Sequence, residues 1–308
     1  MPELPEVETI KLGLQKHLIG KTIEDIEIKI PKMFSGFPKQ IIGAKIIGLK
    51  RIGKGLIMEL DNNFVLAVHL KMTGQLVYAD SGTKNLILSP KIGGATLPSK
   101  YSHIIFKIKN QKSKIKITNQ NSKIKDDSKE KAYLFYNDLR QFGWIKIVKK
   151  SELMKMPFFK EMGPEPAVTK AMVGKALTLN EFKKIVLSSS TAIKVLLMDQ
   201  KRISGIGNIY ANDALFEAEI DPRRKAKTLS EKEIKTLYDS ISHVLKKGLK
   251  YGGSSDENFV NALGQEGSYQ NHTLVYNKEG EKCLSCGGAI QKIKLAGRGT
   301  YFCPKCQN

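Results

Sequence analysis

A chain of 308 residues with 51 Lys and Arg against 30 Asp and Glu carries a formal charge of +21, a balance that points to a polyanionic partner such as nucleic acid. Its length suits two domains, each with its own core, and excludes a small disulfide-stapled scaffold. No apolar run approaches the ~18 residues of a spanning helix and the acidic, polar N-terminus lacks a secretory pattern, so the expected location is cytoplasmic, and the four cysteines are not expected to pair as disulfides.

The chain opens Met1-Pro2-Glu3-Leu4-Pro5-Glu6-Val7-Glu8. Val7, Ile10, Leu14 and Leu18 recur at helical spacing and Gly20 is placed to end that helix. If Met1 is removed, Pro2 presents a secondary amine, and a reference α-amino group titrates near ~7.7–8.0. Such an amine is nucleophilic at neutral pH. On an aldehyde-like carbon it forms an iminium, an electron sink that acidifies neighbouring C–H bonds, with Glu3 and Glu6 as candidate proton donors and acceptors. The same residues also fit a plain helix start, where acids suit the first turn.

From Ile23 to Ile147 the pattern is short β-branched runs: Ile26–Ile30, Ala44–Leu49, Leu56–Leu60, Val65–Leu70, Ile104–Lys109 and Trp144–Val148. Gly and Asn punctuate them, which predicts a β-sandwich. Between Asn110 and Lys131 lie seven lysines and three acids; Gln111–Lys131 is polar and repetitive and predicts a solvated hairpin tip. Met154–Pro166, with Pro157, Gly163, Pro164 and Pro166, reads as a linker. The predicted organisation is a domain over 1–153, a linker over 154–168, a helical domain over 169–268 and a terminal module over 269–308.

Beyond the linker, helices are predicted over Leu179–Leu187, Ala192–Met198, Asn208–Ala218 and Ser230–Lys250. Ser204-Gly205-Ile206-Gly207-Asn208 predicts a tight turn with Asn208 at the helix N-cap. That pair of helices fits a helix-turn-helix variant whose exposed amides hold a phosphate, and equally a plain capped pair.

Cys283-Leu284-Ser285-Cys286 and Cys303-Pro304-Lys305-Cys306 use all the cysteines of the chain. The spacing is that of two knuckles placing four thiolates around one zinc ion. A closed thiolate shell leaves no position for water, so the metal is structural; two disulfides or an iron centre share the spacing. Ile290–Lys294 and Thr300–Phe302 predict short strands with Gly297-Arg298-Gly299 at their turn. Arg298 there either approaches a phosphate or is an ordinary exposed arginine.

Taken together, the Pro-Glu start, the glycine-turn helix pair and the cysteine knuckles resemble the formamidopyrimidine-DNA glycosylase family over nearly the whole chain. Met1–Val7, Asp138-Leu139-Arg140-Gln141-Phe142-Gly143, Gly205–Tyr210 and Gly297–Cys306 carry the resemblance, and the lysine-rich insertion is the main departure. The resemblance implies an α+β multidomain fold: an N-terminal β-sandwich with a flanking helix, then a helical helix-two-turn-helix domain plus a zinc ribbon. It also implies a nucleoid-associated, monomeric, bifunctional DNA glycosylase and AP lyase of base excision repair. Such an enzyme removes oxidised purines (8-oxoguanine and formamidopyrimidines) from double-stranded DNA through an N-terminal proline imine and β,δ-elimination.

On that resemblance Pro2 attacks C1′ of the damaged nucleotide, Glu3 is the acid/base at the sugar and Glu6 supports the site. Lys54, in Gly53-Lys54-Gly55, stands beside the lesion phosphates, and Lys194 is a further lysine near the lesion. Asn208 and Arg298 grip phosphates, and His69 counts among the DNA contacts. The target nucleotide must leave the stack, at a cost of roughly a few kcal/mol. Met72, Arg140 and Phe142 match the residues that fill the hole, with Phe142 wedging a base step and Arg140 favouring an orphaned cytosine. Gly252, Gly253, Ser254 and Ser255 resemble the loop that closes over the extruded base; read alone they form a helix C-cap and loop. Two rivals stand beside this reading: an endonuclease VIII-like enzyme for oxidised pyrimidines, and a non-catalytic zinc-ribbon DNA-binding protein. Leu4 and Arg140-Gln141-Phe142 favour the purine enzyme over the first, and the intact Pro2-Glu3 pair argues against the second.

Overall fold

The structure is a computed structural model that describes residues 1–83, 85–109, 131–168 and 174–308. The expected hairpin tip 111–131 lies outside the described residues, except for Lys131. Helix α1 (Leu4–Leu18) has Pro5 in its first turn, where its missing N–H matters least. Glu6 Oε2 accepts from the Glu3 amide at 2.8 Å, one half of a capping box. Gly20, at φ +84°, ends the helix as expected. Val7, Ile10, Leu14 and Leu18 are buried in one core with Leu56, Leu66, Leu76 and Phe106. Leu4, one turn earlier, belongs instead to the helical core with Leu215 and Val244, so the first turn of α1 is packed into both halves of the molecule.

That first core is a sandwich. One sheet runs β1 (Thr22–Ile28), β7 (Ser102–Lys109), β8 (Ala132–Asp138) and β6 (Gly74–Ala79) in spatial order. The other runs β2 (Phe34–Ser35), β9 (Trp144–Lys149), β5 (Phe64–His69), β4 (Gly55–Leu60) and β3 (Ile46–Ile52). All pairings are antiparallel except β2 with β9. Strands β6 and β8 were not among the predicted runs. Both are buried almost continuously along their length, and such strands carry little of the period-2 alternation by which strands are recognised. Strand β1 also stops at Ile28, before Pro31 starts a 3-10 turn.

Residues 154–166 are packed in part: Phe159, Glu165 and Pro166 are buried, while Met154, Lys155, Pro157, Lys160 and Glu161 are exposed. Helix α2 (Pro157–Lys160) inserts Phe159, 2% exposed, into a cluster with Ile57, Val65 and Leu153. The helical part follows as α3 (Leu179–Leu187), α4 (Ile193–Leu197), α5 (Asn208–Glu217) and α6 (Glu231–Lys250). Ser230 and Glu233 form a capping box at the start of α6, with hydrogen bonds of 2.7 and 3.3 Å. No helix among the described residues is long and apolar enough to cross a membrane.

The last module is the hairpin β10 (Gln291–Leu295) and β11 (Arg298–Phe302). Its turn is Ala296-Gly297, both at positive φ (46° and 77°), the geometry that matches strand twist in two-residue hairpins. Arg298 is therefore not at the turn centre as predicted; it opens β11, opposite Leu295. Val275, Ile290 and Tyr301 pack with Phe216 of α5, seating the module on the helical domain.

Candidate active site

The two halves and the hairpin meet around a cleft with a cavity volume of about 230 Å³, lined by Pro2, Glu3, Lys54, Met72, Asn208 and Arg298 among others. Pro2 and Glu3 are buried at its floor. The Glu3 carboxylate crosses to the helical domain, accepting from the amides of Gly207 at 2.7 Å and Ile209 at 2.8 Å. Asn208, predicted as the N-cap, is instead the first residue of α5 behind Gly207; Glu3 supplies the capping oxygen from a distant part of the chain. Freed from capping, Asn208 lines the cleft with Arg298. Burial raises the Glu3 pKa to about 7, with the Lys54 charge opposing and the Glu6 charge reinforcing the shift. A carboxyl poised there can both give and take a proton at neutral pH.

Glu6 receives three donors: the Glu3 amide at 2.8 Å, the Tyr210 hydroxyl at 2.7 Å and the Ser254 amide at 2.8 Å. It thus fixes the N-terminal backbone, α5 and the 252–255 loop to one carboxylate. Lys54, 5% exposed, donates to the Ile206 carbonyl at 2.9 Å. Burial lowers its pKa; the charges of Glu3 and Glu6 oppose that shift and Arg298 adds to it. The Met1 ammonium lies 2.9 Å from Glu257, and Glu257 and Asp256, which sequence reading did not single out, also line the cleft.

Lys194 faces the hairpin. Its Nζ donates to Gly299 O at 2.9 Å and Thr300 Oγ1 at 2.7 Å, and burial pushes its pKa down to about 7, against the pull of Glu3. It ties α4 to the strand that carries Arg298. His69 is also buried: its Nδ1 accepts from the Lys71 amide at 2.9 Å, its ring packs on Trp144 and Phe158, and burial holds its pKa near about 3. One edge lines an adjoining cavity of about 350 Å³ shared with Lys54 and Lys71.

Phe142 is 55% exposed, so it is not a core side chain, and the Arg140 guanidinium lies 4.8 Å from its ring centroid. Met72 is half-buried at the cleft wall. Asp138 organises this loop and was missed as a functional residue although it opens the quoted motif. It is fully buried and accepts from the Thr73 hydroxyl, the Arg140 amide at 3.2 Å and the Gly143 amide at 2.7 Å. An acid closing an apolar run and followed by a glycine five residues on is the signal that could have found it.

The 252–255 loop leaves α6 through two left-handed glycines, Gly252 at φ +71° and Gly253 at φ +84°. A Cβ on Gly253 would also stand 2.9 Å from the Phe259 ring and 3.0 Å from Glu6. The Ser255 hydroxyl donates to Phe259 O at 2.8 Å, while the buried Ser254 hydroxyl has no hydrogen-bond partner among the described residues.

At the far end of the hairpin, the four thiols of Cys283, Cys286, Cys303 and Cys306 lie within 4.8 Å of one another, with closest cross-knuckle pairs of 3.8 Å and 3.5 Å. Those separations are too long for disulfides. They fit the edges of a tetrahedron of thiolates each ~2.3 Å from a zinc ion, and the site is that of one structural zinc.

Three family models match the chain: a formamidopyrimidine-DNA glycosylase N-terminal domain over residues 1–145, a formamidopyrimidine-DNA glycosylase H2TH domain over 162–259, and a zinc finger found in FPG and IleRS over 280–308. The chain is 36% identical to the formamidopyrimidine-DNA glycosylase of Listeria monocytogenes serovar 1/2a, across 100% of both chains. Among solved structures it is similar to a Lactococcus lactis FPG mutant in complex with a Fapy-dG containing DNA (35% identity, 100% of both chains, TM-score 0.81). It is equally similar to Lactococcus lactis Fpg in complex with an abasic site containing DNA (35% identity, 99% of both chains, TM-score 0.81).

Proposed function

We propose, for a chain that belongs to the formamidopyrimidine-DNA glycosylase family and is a DNA glycosylase acting on damaged DNA, that it excises oxidised purines from duplex DNA and then cleaves the strand as an AP lyase. The observation that carries this reading is the Pro2-Glu3 pair at the cleft floor, with Glu3 clamped by the Gly207 and Ile209 amides and poised near pH 7. After removal of Met1, the Pro2 nitrogen bonds to C1′ while the bond from C1′ to the base breaks, its electron pair leaving with the base. The sugar ring then opens, its oxygen taking a proton from Glu3, and the iminium acidifies the C2′–H. The Glu3 carboxylate left by that transfer takes the C2′ proton, whose bonding pair expels the 3′ phosphate, and a second elimination with loss of the C4′ proton releases the 5′ phosphate.

Around this centre Lys54, Asn208 and Arg298 are the phosphate grips of the reading, with His69 a further DNA contact from the adjoining cavity and Lys194 supporting the site. Met72, Arg140 and Phe142 occupy the hole left by the extruded nucleotide, and Gly252–Ser255 close over the base. Complexes of the Lactococcus lactis relatives with Fapy-dG and abasic-site DNA support double-stranded, lesion-bearing DNA as the partner. The zinc ion holds the hairpin that presents Arg298 and takes no part in the chemistry.

Borohydride reduction of the protein mixed with an 8-oxoguanine duplex tests this directly, because only an imine becomes a permanent adduct. The expected result is a covalent complex that disappears when an uncleaved N-terminal extension blocks Pro2. Undiminished trapping on the extended protein moves the nucleophile elsewhere, with Lys54 the first suspect. Trapping confined to oxidised pyrimidines favours the endonuclease VIII-like reading.

A further inference from the structure

We infer that Glu165 and Arg51, neither of which lines the cleft, are positioning residues that set Lys54 in place; the inference rests on the reading of Lys54 as a site residue. Lys54 follows Gly53, which holds φ +55° in the turn between β3 and β4. Both sides of that turn are fastened. The Gly53 amide donates to Glu165 Oε2 at 3.0 Å, and the Gly53 carbonyl accepts from Arg51 Nη1 at 2.8 Å. Arg51 Nη1 also meets Glu165 Oε2 at 2.5 Å, while its Nε donates to Glu8 Oε2 at 2.8 Å, and Glu8 pairs with Lys11. Arg51, Glu165, Glu8 and Lys11 are each at most 3% exposed.

A buried network of two cations and two anions is a poor way to gain stability, since apolar packing of like volume does as well or better. What it provides is a fixed geometry, and here the geometry has two ends. The segment carrying Glu165 also bonds the helical domain: Gly163 N donates to Gln200 O and Ser204 N to Pro164 O, each at 3.0 Å. Gln200 Nε2 and Lys54 Nζ in turn share the Ile206 carbonyl, at 2.7 and 2.9 Å. Residues 163–165 therefore register both the backbone of Lys54 and the acceptor of its ammonium. A Cβ on Gly53 would stand 2.5 Å from Met162 Sδ and 3.3 Å from Ser204 Cβ, so the turn is packed against both the segment between the domains and the helical domain. The placement of Lys54 depends on how the segment between the domains is seated.

The test is a double-mutant cycle of Glu165→Gln with Lys54→Met, read by single-turnover borohydride trapping on a lesion duplex. Glu165→Gln should slow trapping by about 10–100-fold, the scale of a misplaced site group, while affinity for an abasic-analogue duplex changes by less than about threefold. In the Lys54→Met background the same substitution should add less than about twofold, because residues that act through one another are not additive. An equal loss in both backgrounds overturns the inference, as does a loss that merely follows a fall in melting temperature. Should Glu165→Gln fail to fold, Arg51→Lys, which keeps the charge and loses the fork, carries the same cycle. Amine-reactive labelling of the free protein gives a readout independent of activity: Lys54 labelling, followed by peptide mass spectrometry, should rise severalfold in Glu165→Gln. Unchanged protection of Lys54 refutes the positioning role, whereas absence of trapping by the wild-type protein refutes only the proposed reaction.

Discussion

A Cβ on Gly207 would stand 2.4 Å from the Glu3 carboxyl carbon, while the Gly207 amide donates to that carboxylate at 2.7 Å. The amide of a residue with any side chain could not approach so closely without displacing Glu3. Gly207→Ala is therefore expected to push Glu3 off the start of α5 and slow excision by about 10–100-fold, with a stability loss of about 1–3 kcal/mol from overpacking. Single-turnover excision beside a urea melt checks both. Full activity in a folded Gly207→Ala protein would show that catalysis does not need this clamp.

The raised pKa of Glu3 has a thermodynamic signature. Unfolded, the carboxyl loses its proton near its ordinary 4.5; folded and buried, it keeps it up to about 7. Between those values the native state binds more protons, so stability falls as pH rises through the window and levels off above it. Glu3→Gln removes that slope. Its stability relative to wild type should climb from pH 4.5 to 7 by at most about 3–4 kcal/mol, since one pKa unit is worth about 1.4 kcal/mol, and then stay level. Urea midpoints at several pH values measure it; a difference independent of pH would mean that Glu3 titrates normally.

Much of this site was legible because its residues sit in short, unusual strings. The cysteine knuckles, the Pro2-Glu3 start and the glycine turn before α5 announce themselves locally, and the structure brings Pro2, Glu3, Lys54, Asn208 and Arg298 to one cleft. What stayed hidden are relations across the chain. Glu3 caps a helix more than 200 residues away, so local rules assigned the cap to Asn208. Strands β6 and β8 lack alternation because both their faces are covered. Arg51 carries no local signal and Glu165 falls within the stretch read as a linker, and the folded chain buries them as a pair.

Metal removal should separate binding from folding of the sandwich. Elemental analysis is expected to find about one zinc per chain, and Cys303→Ser should lose it and loosen the hairpin, freeing Arg298 from the cleft and leaving Lys194 without Gly299 O and Thr300 Oγ1. The loss of one charge-assisted phosphate contact corresponds to about 10–100-fold in DNA affinity, measurable by fluorescence anisotropy. A metal-free protein that binds lesion duplex with full affinity contradicts the role given to the hairpin.

The loop that carries Arg140 and Phe142 offers the sharpest test of how the orphaned base is read. Its shape is set from below: Asp138 holds the Arg140 and Gly143 amides, Gln141 takes φ +55°, and a Cβ on Gly143 would stand 2.9 Å from the His69 carbonyl oxygen. A guanidinium presented on so constrained a loop can distinguish bases, since a good bidentate contact is worth about 1–3 kcal/mol of discrimination. Arg140→Ala should therefore reduce the preference for cytosine opposite the lesion by about tenfold while affecting affinity for an abasic site much less. Asp138→Ala should lose the same preference and also destabilise the fold by about 1–3 kcal/mol, because it leaves the buried Gly143 amide and the Thr73 hydroxyl without their acceptor. The two substitutions together should lower discrimination no further than Arg140→Ala alone, as Asp138 acts on it only through the loop. Rates of excision opposite each of the four bases measure the preference. Equal losses opposite all four on Arg140→Ala would show that Arg140 positions the backbone and does not read the base; a further loss in the double variant would show that Asp138 reaches the orphaned base by a route of its own.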